Sequence, residues 1–241
     1  MTRFCSTLCL CLFLVSAART QKIKILSQGP PVSLRGLSAP DDKVIWVCGS
    51  QGTVGLSTDG GINWKWMTVP NYAHSAFRDL EAFSDREAVI MGITRPAVLL
   101  KPKDGGKTWK TVFQDSSQSI FLDGMDFSGT RGILIGDPVN NKIFLAQTND
   151  RGDHWKLFSG KNQTVSEQGE AFFAASGSGI KWLPGNHYAF VSGGKRSSLY
   201  LDGSGIHRLL LTAGKESTGA NSIAVSPSDS NLAFITGGDF A

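Results

Sequence analysis

The chain alternates short apolar runs with clusters of Gly, Pro, Asp and Ser, and the runs come in sets. The first set is Leu34–Leu37, Val44–Val47, Thr53–Leu56 and Lys65–Val69. The second is Phe77–Phe83, Ala88–Met91, Ala97–Leu100 and Lys110–Phe113, and the third is Gly124–Phe127, Gly132–Ile135, Ile143–Gln147 and Lys156–Phe158. Each run has the length of a strand and ends in turn-forming residues, so each set predicts four consecutive strands. A fourth set follows at Ala171–Ser176, Tyr188–Val191, Ser198–Leu201 and His207–Leu211. A fifth starts with Ser222–Val225 and Leu232–Ile235.

One motif marks the end of the third strand in three sets: Ser57, Asp59, Gly61 and Trp64; then Pro102, Asp104, Gly106 and Trp109; then Thr148, Asp150, Gly152 and Trp155. The shared form is Ser/Thr-x-Asp-x-Gly-x-x-Trp, with Pro102 the departure. A hydroxyl and a carboxylate can accept backbone N–H groups inside a tight turn, a glycine supplies the positive φ, and the tryptophan buries a large ring at the start of the next strand. The motif is therefore expected to staple a hairpin, and its aspartates to be structural. In the fourth set it has decayed to Asp202-Gly-Ser-Gly205 with no tryptophan. Four strands per ~45 residues, repeated, predicts an all-β β-propeller of four-stranded blades. Its units fall at about 30–69, 75–113, 120–158, 169–211 and 219–241.

Lys22–Leu26 reads as a further strand, in the register of the outer strand of a preceding blade. With the half unit at the other end, it leads to the expectation that about four and a half blades of a larger ring are present. A seven-blade ring needs ~315 residues, so two or three blades are expected beyond residue 241. An open solenoid, or a ring completed by a partner chain, is the alternative.

Residues Met1–Thr20 have Arg3, an apolar run from Leu8 to Val15 and the small residues Ser16, Ala17 and Ala18, the layout of a secretory signal peptide cleaved after Ala18 or Thr20. The run is too short to span a bilayer and no later run is longer, so residues 21–241 are expected to be soluble and exported, to a periplasm, a cell surface or the medium. Loss of the segment removes Arg3 and Arg19 and takes the formal charge from +4 to about +2. Without a basic stripe this excludes a nucleic-acid binder. Three of the four cysteines leave with the segment, so Cys48 is expected to be a lone buried thiol.

The boxes resemble the Asp-box (BNR) repeats of sialidases, sortilin-type domains and the propeller that assists photosystem II assembly. The chain is most similar to secreted bacterial members of that group, through Ser33–Leu37, Trp46–Ser50, Gly52–Val54, Gly136–Pro138, Gly169–Ala171 and Ser192–Arg196. The resemblance covers 22–241. It implies the propeller and no particular cofactor.

Stacking the units places Arg35, Arg78, Asp123, Glu170 and Asn221 near the start of successive innermost strands. The loops between strands two and three should face the same side, and carry Ser50 and Gln51, Arg95, Asp137 and Asn140, and Lys195 and Arg196. One reading is a polar rim at the central channel for a protein loop or a small anionic or carbohydrate-like ligand. The other is a wet channel whose arginines and acids pair with each other. A sialidase-like glycosidase would need an arginine triad and a tyrosine beside a glutamate. Only Tyr72, Tyr188 and Tyr200 are available and none sits by a glutamate at a strand start, so this alternative expects its remaining catalytic residues in the missing C-terminal blades. His74, His154, His187 and His207 lack zinc-site spacing, and no metal, cofactor or catalytic residue is expected. Asn162-Gln-Thr164 is a glycosylation sequon.

Overall fold

A computed structural model describes residues 23–93, 95–117, 119–160, 163–175, 177–229 and 232–239. The expected signal segment, residues 1–20, and Asn162 lie outside them. The first three units each form one antiparallel four-stranded sheet in chain order. Sheet one is β1 Leu34–Ser38, β2 Ile45–Gly49, β3 Thr53–Ser57 and β4 Lys65–Thr68. Sheet two is β5 Phe77–Ala82, β6 Ala88–Gly92, β7 Ala97–Lys101 and β8 Lys110–Asp115. Sheet three is β9 Leu122–Ser128, β10 Arg131–Val139, β11 Lys142–Thr148 and β12 Lys156–Leu157. The innermost strands β1, β5 and β9 touch one another in succession, so the sheets are blades set around a common hub.

The fourth blade departs from this plan. Its strands are β13 Glu170–Ala171, β14 Ile180–Leu183, β15 His187–Gly194, β16 Ser198–Leu201 and β17 Gly205–Arg208. Both β13 and β14 pair with β15, through Ala171↔Gly193 and Ile180↔Phe190, so the innermost strand is broken and residues 172–175 and 177–179 leave the sheet. The expected strand Ala171–Ser176 is thus corrected: of its described residues only Ala171 is in a strand, and Ile180–Leu183 takes its place. The last strand begins earlier than expected, at Gly205, and ends at Arg208. Residues Ile23–Leu26 form no strand; Lys24, Ile25 and Leu26 instead line a cavity with Ile45, Val47 and Trp64 of the first unit. Two further strands, β18 Thr218–Val225 and β19 Ala233–Asp239, join the fourth blade where Gly193 pairs with Gly219. The backbones are so close there that a Cβ on either glycine would strike the other chain.

The core is a series of layers between blades. Trp46 and Cys48 of β2 meet Phe77 and Leu80 of β5, while Val89 and Met91 of β6 meet Leu122 and Met125 of β9. Ile133 and Ile135 of β10 meet Ile180 and Phe190, and Ala189 and Val191 of β15 meet Ala220 and Ile223 of β18. Strand alternation explains this: odd and even positions of each middle strand face opposite neighbours. Trp46 is fully buried and gives its indole N–H to the Ser84 carbonyl at 2.8 Å, so a large apolar ring is buried without stranding its one donor.

The three tryptophan turns fold as local hydrogen-bond clusters. Ser57 Oγ accepts Gly61 N–H at 2.9 Å and donates to Asp59 Oδ1, which also accepts Asn63 N–H at 2.9 Å. Thr148, Asp150, Gly152 and His154 repeat this arrangement, with His154 Nδ1 at 2.7 Å from Asp150 Oδ2. Pro102 offers no hydroxyl, so the second turn relies on Asp104, which accepts from the Thr108 hydroxyl, Lys107 N–H and Thr108 N–H. Trp64 and Trp155 return their indole N–H groups to Gly61 and Gly152 carbonyls at 2.9 and 3.1 Å.

Candidate functional site at the hub

Four of the five stacked positions share a structural cause. In β1, β5, β9 and β18 the pairing register slips by one residue, and the bulged residue is Arg35, Arg78, Asp123 or Asn221. A bulge re-aims its side chain out of the regular alternation, which is how polar residues stand in strands otherwise packed between blades. In the fourth blade the chain opens at this slot into the excursion of residues 172–175 and 177–179. Glu170 sits two residues before the break, in β13.

The excursion crosses the hub and is held by two other blades. Arg78 Nη1 donates to the Ala174 carbonyl at 3.2 Å, and Asp137 Oδ1 accepts Phe172 N–H at 3.0 Å. Gly177 lies with φ +67° against the Asp79 carboxylate, where no Cβ would fit. Asp79 itself is buried and accepts Met125 N–H at 2.8 Å and Leu80 N–H at 2.9 Å. Further along the channel, Lys181 Nζ pairs with Asp126 Oδ1 at 2.6 Å and Trp182 N–H bonds its other oxygen at 2.7 Å, which ties β14 to β9. Burial pushes the Asp79 carboxyl up to about 7 against those two N–H bonds. It pushes Glu81 up to about 7 as well, with Asp126 and Asp79 adding to it.

The residues of the expected rim lie in different surroundings. Arg35 is exposed, and neither it nor Arg78 forms an ion pair among the described residues. Partial burial, then the charge of Arg35, draws the pKa of Arg78 below its ordinary value. Asp123 is only 3% exposed and neither oxygen has a hydrogen-bond partner among the described residues; it lines a cavity of about 10 Å³ with Phe172, Phe173 and Asn221, room for about one water. Burial, then the nearby charge of Asp137, pushes its pKa well above the carboxylate range, and burial raises Asp137 too. Arg95 is exposed on the β6–β7 loop. Arg196 pairs with Glu167, which Arg208 also approaches at 3.6 Å, and the Lys195 stem covers Gly169.

Glu170 is a buried acceptor. Its carboxylate takes the hydroxyls of Ser192 at 2.9 Å, Ser198 at 2.5 Å and Tyr200, and the Glu167 N–H at 2.8 Å. Here the expectation that no tyrosine meets a strand-start glutamate is corrected, because β16 lies across the sheet from β13. The chemistry is the reverse of an activated nucleophile: burial, and then the bond to Glu170, push the Tyr200 phenol far above its ordinary pKa. Among the described residues no three His, Cys, Asp or Glu are placed to hold a metal ion, and no helix is long and apolar enough to cross a membrane.

Asp79, Glu81, Asp126 and Lys181 escaped the sequence reading. Their signal was present as charged residues inside runs read as innermost strands or, for Lys181, beside one.

No protein-family model matches the chain. It is 25% identical over 175 residues to the chloroplastic photosystem II stability/assembly factor HCF136 of Oryza sativa subsp. japonica, covering 67% of this chain and 40% of that protein. The chain thus spans about two-fifths of the length of that curated relative. Among solved structures, it is similar to a GH74 xyloglucanase from Xanthomonas campestris, with TM-score 0.58 and 14% identity over 81% of this chain and 34% of the other. A structure of YCF48 bound to a D1 peptide aligns with TM-score 0.48 and 18% identity over 86% and 75% of the two chains. The successive four-stranded antiparallel blades and the likeness to the xyloglucanase make this fold a β-propeller.

Proposed function

We propose that this chain is an exported β-propeller that binds a protein partner as an assembly or stability scaffold, through the hub face bearing Arg35 and Arg78. The observation that carries this reading is the pair of guanidiniums that have no carboxylate partner among the described residues. Arg35 stands exposed, and Arg78 bonds a neutral carbonyl. Two neighbouring cations left unpaired at one face favour an anionic group from outside, and arginine forks suit carboxylates. The assembly role in the name of the rice relative supports a protein rather than a sugar as the partner. Asp123 and Glu170 serve the face from beneath, as buried groups under and beside the excursion, while Arg196 is neutralised by Glu167. Export rests on the Met1–Thr20 pattern, and kinship with secreted Asp-box proteins on the turn motifs.

The test is fluorescence anisotropy of a labelled Asp/Glu-rich peptide against the full chain. The expected result is saturable binding that weakens with salt and falls at least about tenfold in Arg35→Ala/Arg78→Ala. Unchanged binding in the double variant would remove the hub face from the proposal. Turnover of a fluorogenic sialoside that is lost in Arg35→Ala would replace the scaffold with a glycosidase.

A further inference from the structure

The fourth blade lacks the turn tryptophan that the first three all possess. Between the paired residues Leu56 and Lys65, Lys101 and Lys110, and Gln147 and Lys156 lie residues 57–64, 102–109 and 148–155, each ending in the turn tryptophan. Trp109 packs into the layer between the first and second blades. Trp155 packs into the layer between the second and third, edge-on to Phe127 at 5.8 Å. Each ring thus closes the seam toward the preceding blade. In the fourth blade Leu201 pairs with Gly205, so only residues 202–204 remain and no tryptophan is among them.

The corresponding seam is partly refilled: Trp182 of the inner strand packs into it, edge-on to Tyr188 at 5.9 Å. Tyr200 precedes Leu201 as Gly55 precedes Leu56, Leu100 precedes Lys101 and Ala146 precedes Gln147, so a phenol stands where the other blades have smaller side chains. Tyr188, Phe190 and Tyr200 stack nearly parallel, with interplanar angles of 12° and 13° and centroids 6.3 and 4.7 Å apart. A cavity of about 230 Å³ remains beside this aromatic wall, bounded by Ile206, Gly203 and Gly205, with Thr164 and Asp202 as its polar members.

We propose that this seam cavity is a binding site for a planar, uncharged aromatic ring of indole size. The molecule itself indicates the occupant, because the two preceding seams are each closed by a turn indole, Trp109 or Trp155, and this seam lacks that turn indole although Trp182 enters it from the inner strand. An apolar protein cavity of about 150 Å³ accommodates benzene, so a 230 Å³ space has room for one more fused ring. The π wall offers offset stacking. Trp64 and Trp155 give their N–H groups to oxygens of their own turns, and here Thr164 and Asp202 provide oxygen acceptors at the cavity. The site lies on the outer part of the blade and does not depend on the reading of the hub.

The experiment is methyl-resolved NMR of the full chain titrated with indole, and separately with N-acetyl-tryptophanamide. Saturable shifts and NOEs to the Ile206 methyls are expected with indole. Binding of the amide as well would identify a side chain presented by a protein, and indole alone a free small molecule. Ile206 pairs directly with Tyr200 and so shares its face. Ile206→Trp should fill the space and weaken indole at least about tenfold, with Ile206→Val retaining it. If Ile206→Trp does not fold, replacing 202–204 by the 148–155 turn serves the same purpose. Absence of saturable shifts up to the solubility of indole, shifts remote from Ile206, or equal binding by the filled variants would overturn the proposal.

Discussion

The third and fourth blades share one strand plan and differ in what fastens it. In the third, β9 runs unbroken and the outer hairpin is closed by the Thr148–Asp150–Trp155 turn. In the fourth, the inner strand is broken and the outer turn has lost its staple. The fastening has moved inward, to the buried Glu170 carboxylate that gathers Ser192, Ser198 and Tyr200, and to the Lys181–Asp126 pair that ties the blade to its neighbour. A repeat can therefore give up its local turn cluster when a buried polar network takes over, and the freed inner segment is then available to cross the hub.

The strongest way to break this comparison is to remove each fastening in turn. Glu170→Ala leaves three buried hydroxyl donors without their acceptor and should cost about 3–4 kcal/mol by urea unfolding, whereas Thr148→Ala should cost about 1–2 kcal/mol. Equal costs would show that the fourth blade does not depend on Glu170. Next, Gly177→Val adds a branched side chain at positive φ against the Asp79 carboxylate, and should cost about 3 kcal/mol. Valine at Gly129, where a Cβ meets nothing, separates the contact from the backbone strain shared by both sites.

A smaller effect is expected from pH. Asp79 and Glu81 have folded pKa values of about 7, against ordinary values of 3.8 and 4.5, so between those limits the folded chain holds more protons than the unfolded chain. Raising pH through this window must cost stability, with the loss complete above about 7. The urea midpoint should be lower at pH 8 than at pH 5, and Asp79→Asn should flatten that slope whatever its effect on the absolute value. The smallest change is a gain: Pro102→Ser supplies the hydroxyl that the second turn lacks and should add about 0.5–1 kcal/mol. No gain would mean that Asp104 already satisfies that turn.

The first three blades were legible almost strand for strand because their signals are local. Asp59 and Asn63, or Thr148 and Gly152, meet within a single turn, and neither needs the rest of the molecule to find the other. The fourth blade was misread where local and global causes diverge. Phe172, Phe173 and Ala174 look like a strand by apolarity. Yet Phe172 and Ala174 owe their burial to a path across the hub. Ile180–Leu183 carries Lys181 within it and was passed over, although that lysine is paid for by Asp126 on another blade. At the candidate site, stacking found the bulged residues Arg35, Arg78, Asp123 and Asn221, since a bulge recurs with the repeat. It could not separate the exposed Arg35 from the buried Asp123.

By itself the sequence determined the repeat, its strands and the turns that close them, because those rest on hydrogen bonds between residues about four apart and on alternation within a run. The tertiary structure decided which charges meet and which stay unpaired. Arg78 reaches a carbonyl 96 residues away, Asp79 an N–H 46 residues away and Lys181 a carboxylate 55 residues away. Such partners are set by how blades lean together at the hub, and by the excursion that fills it, quantities that no single blade's sequence specifies.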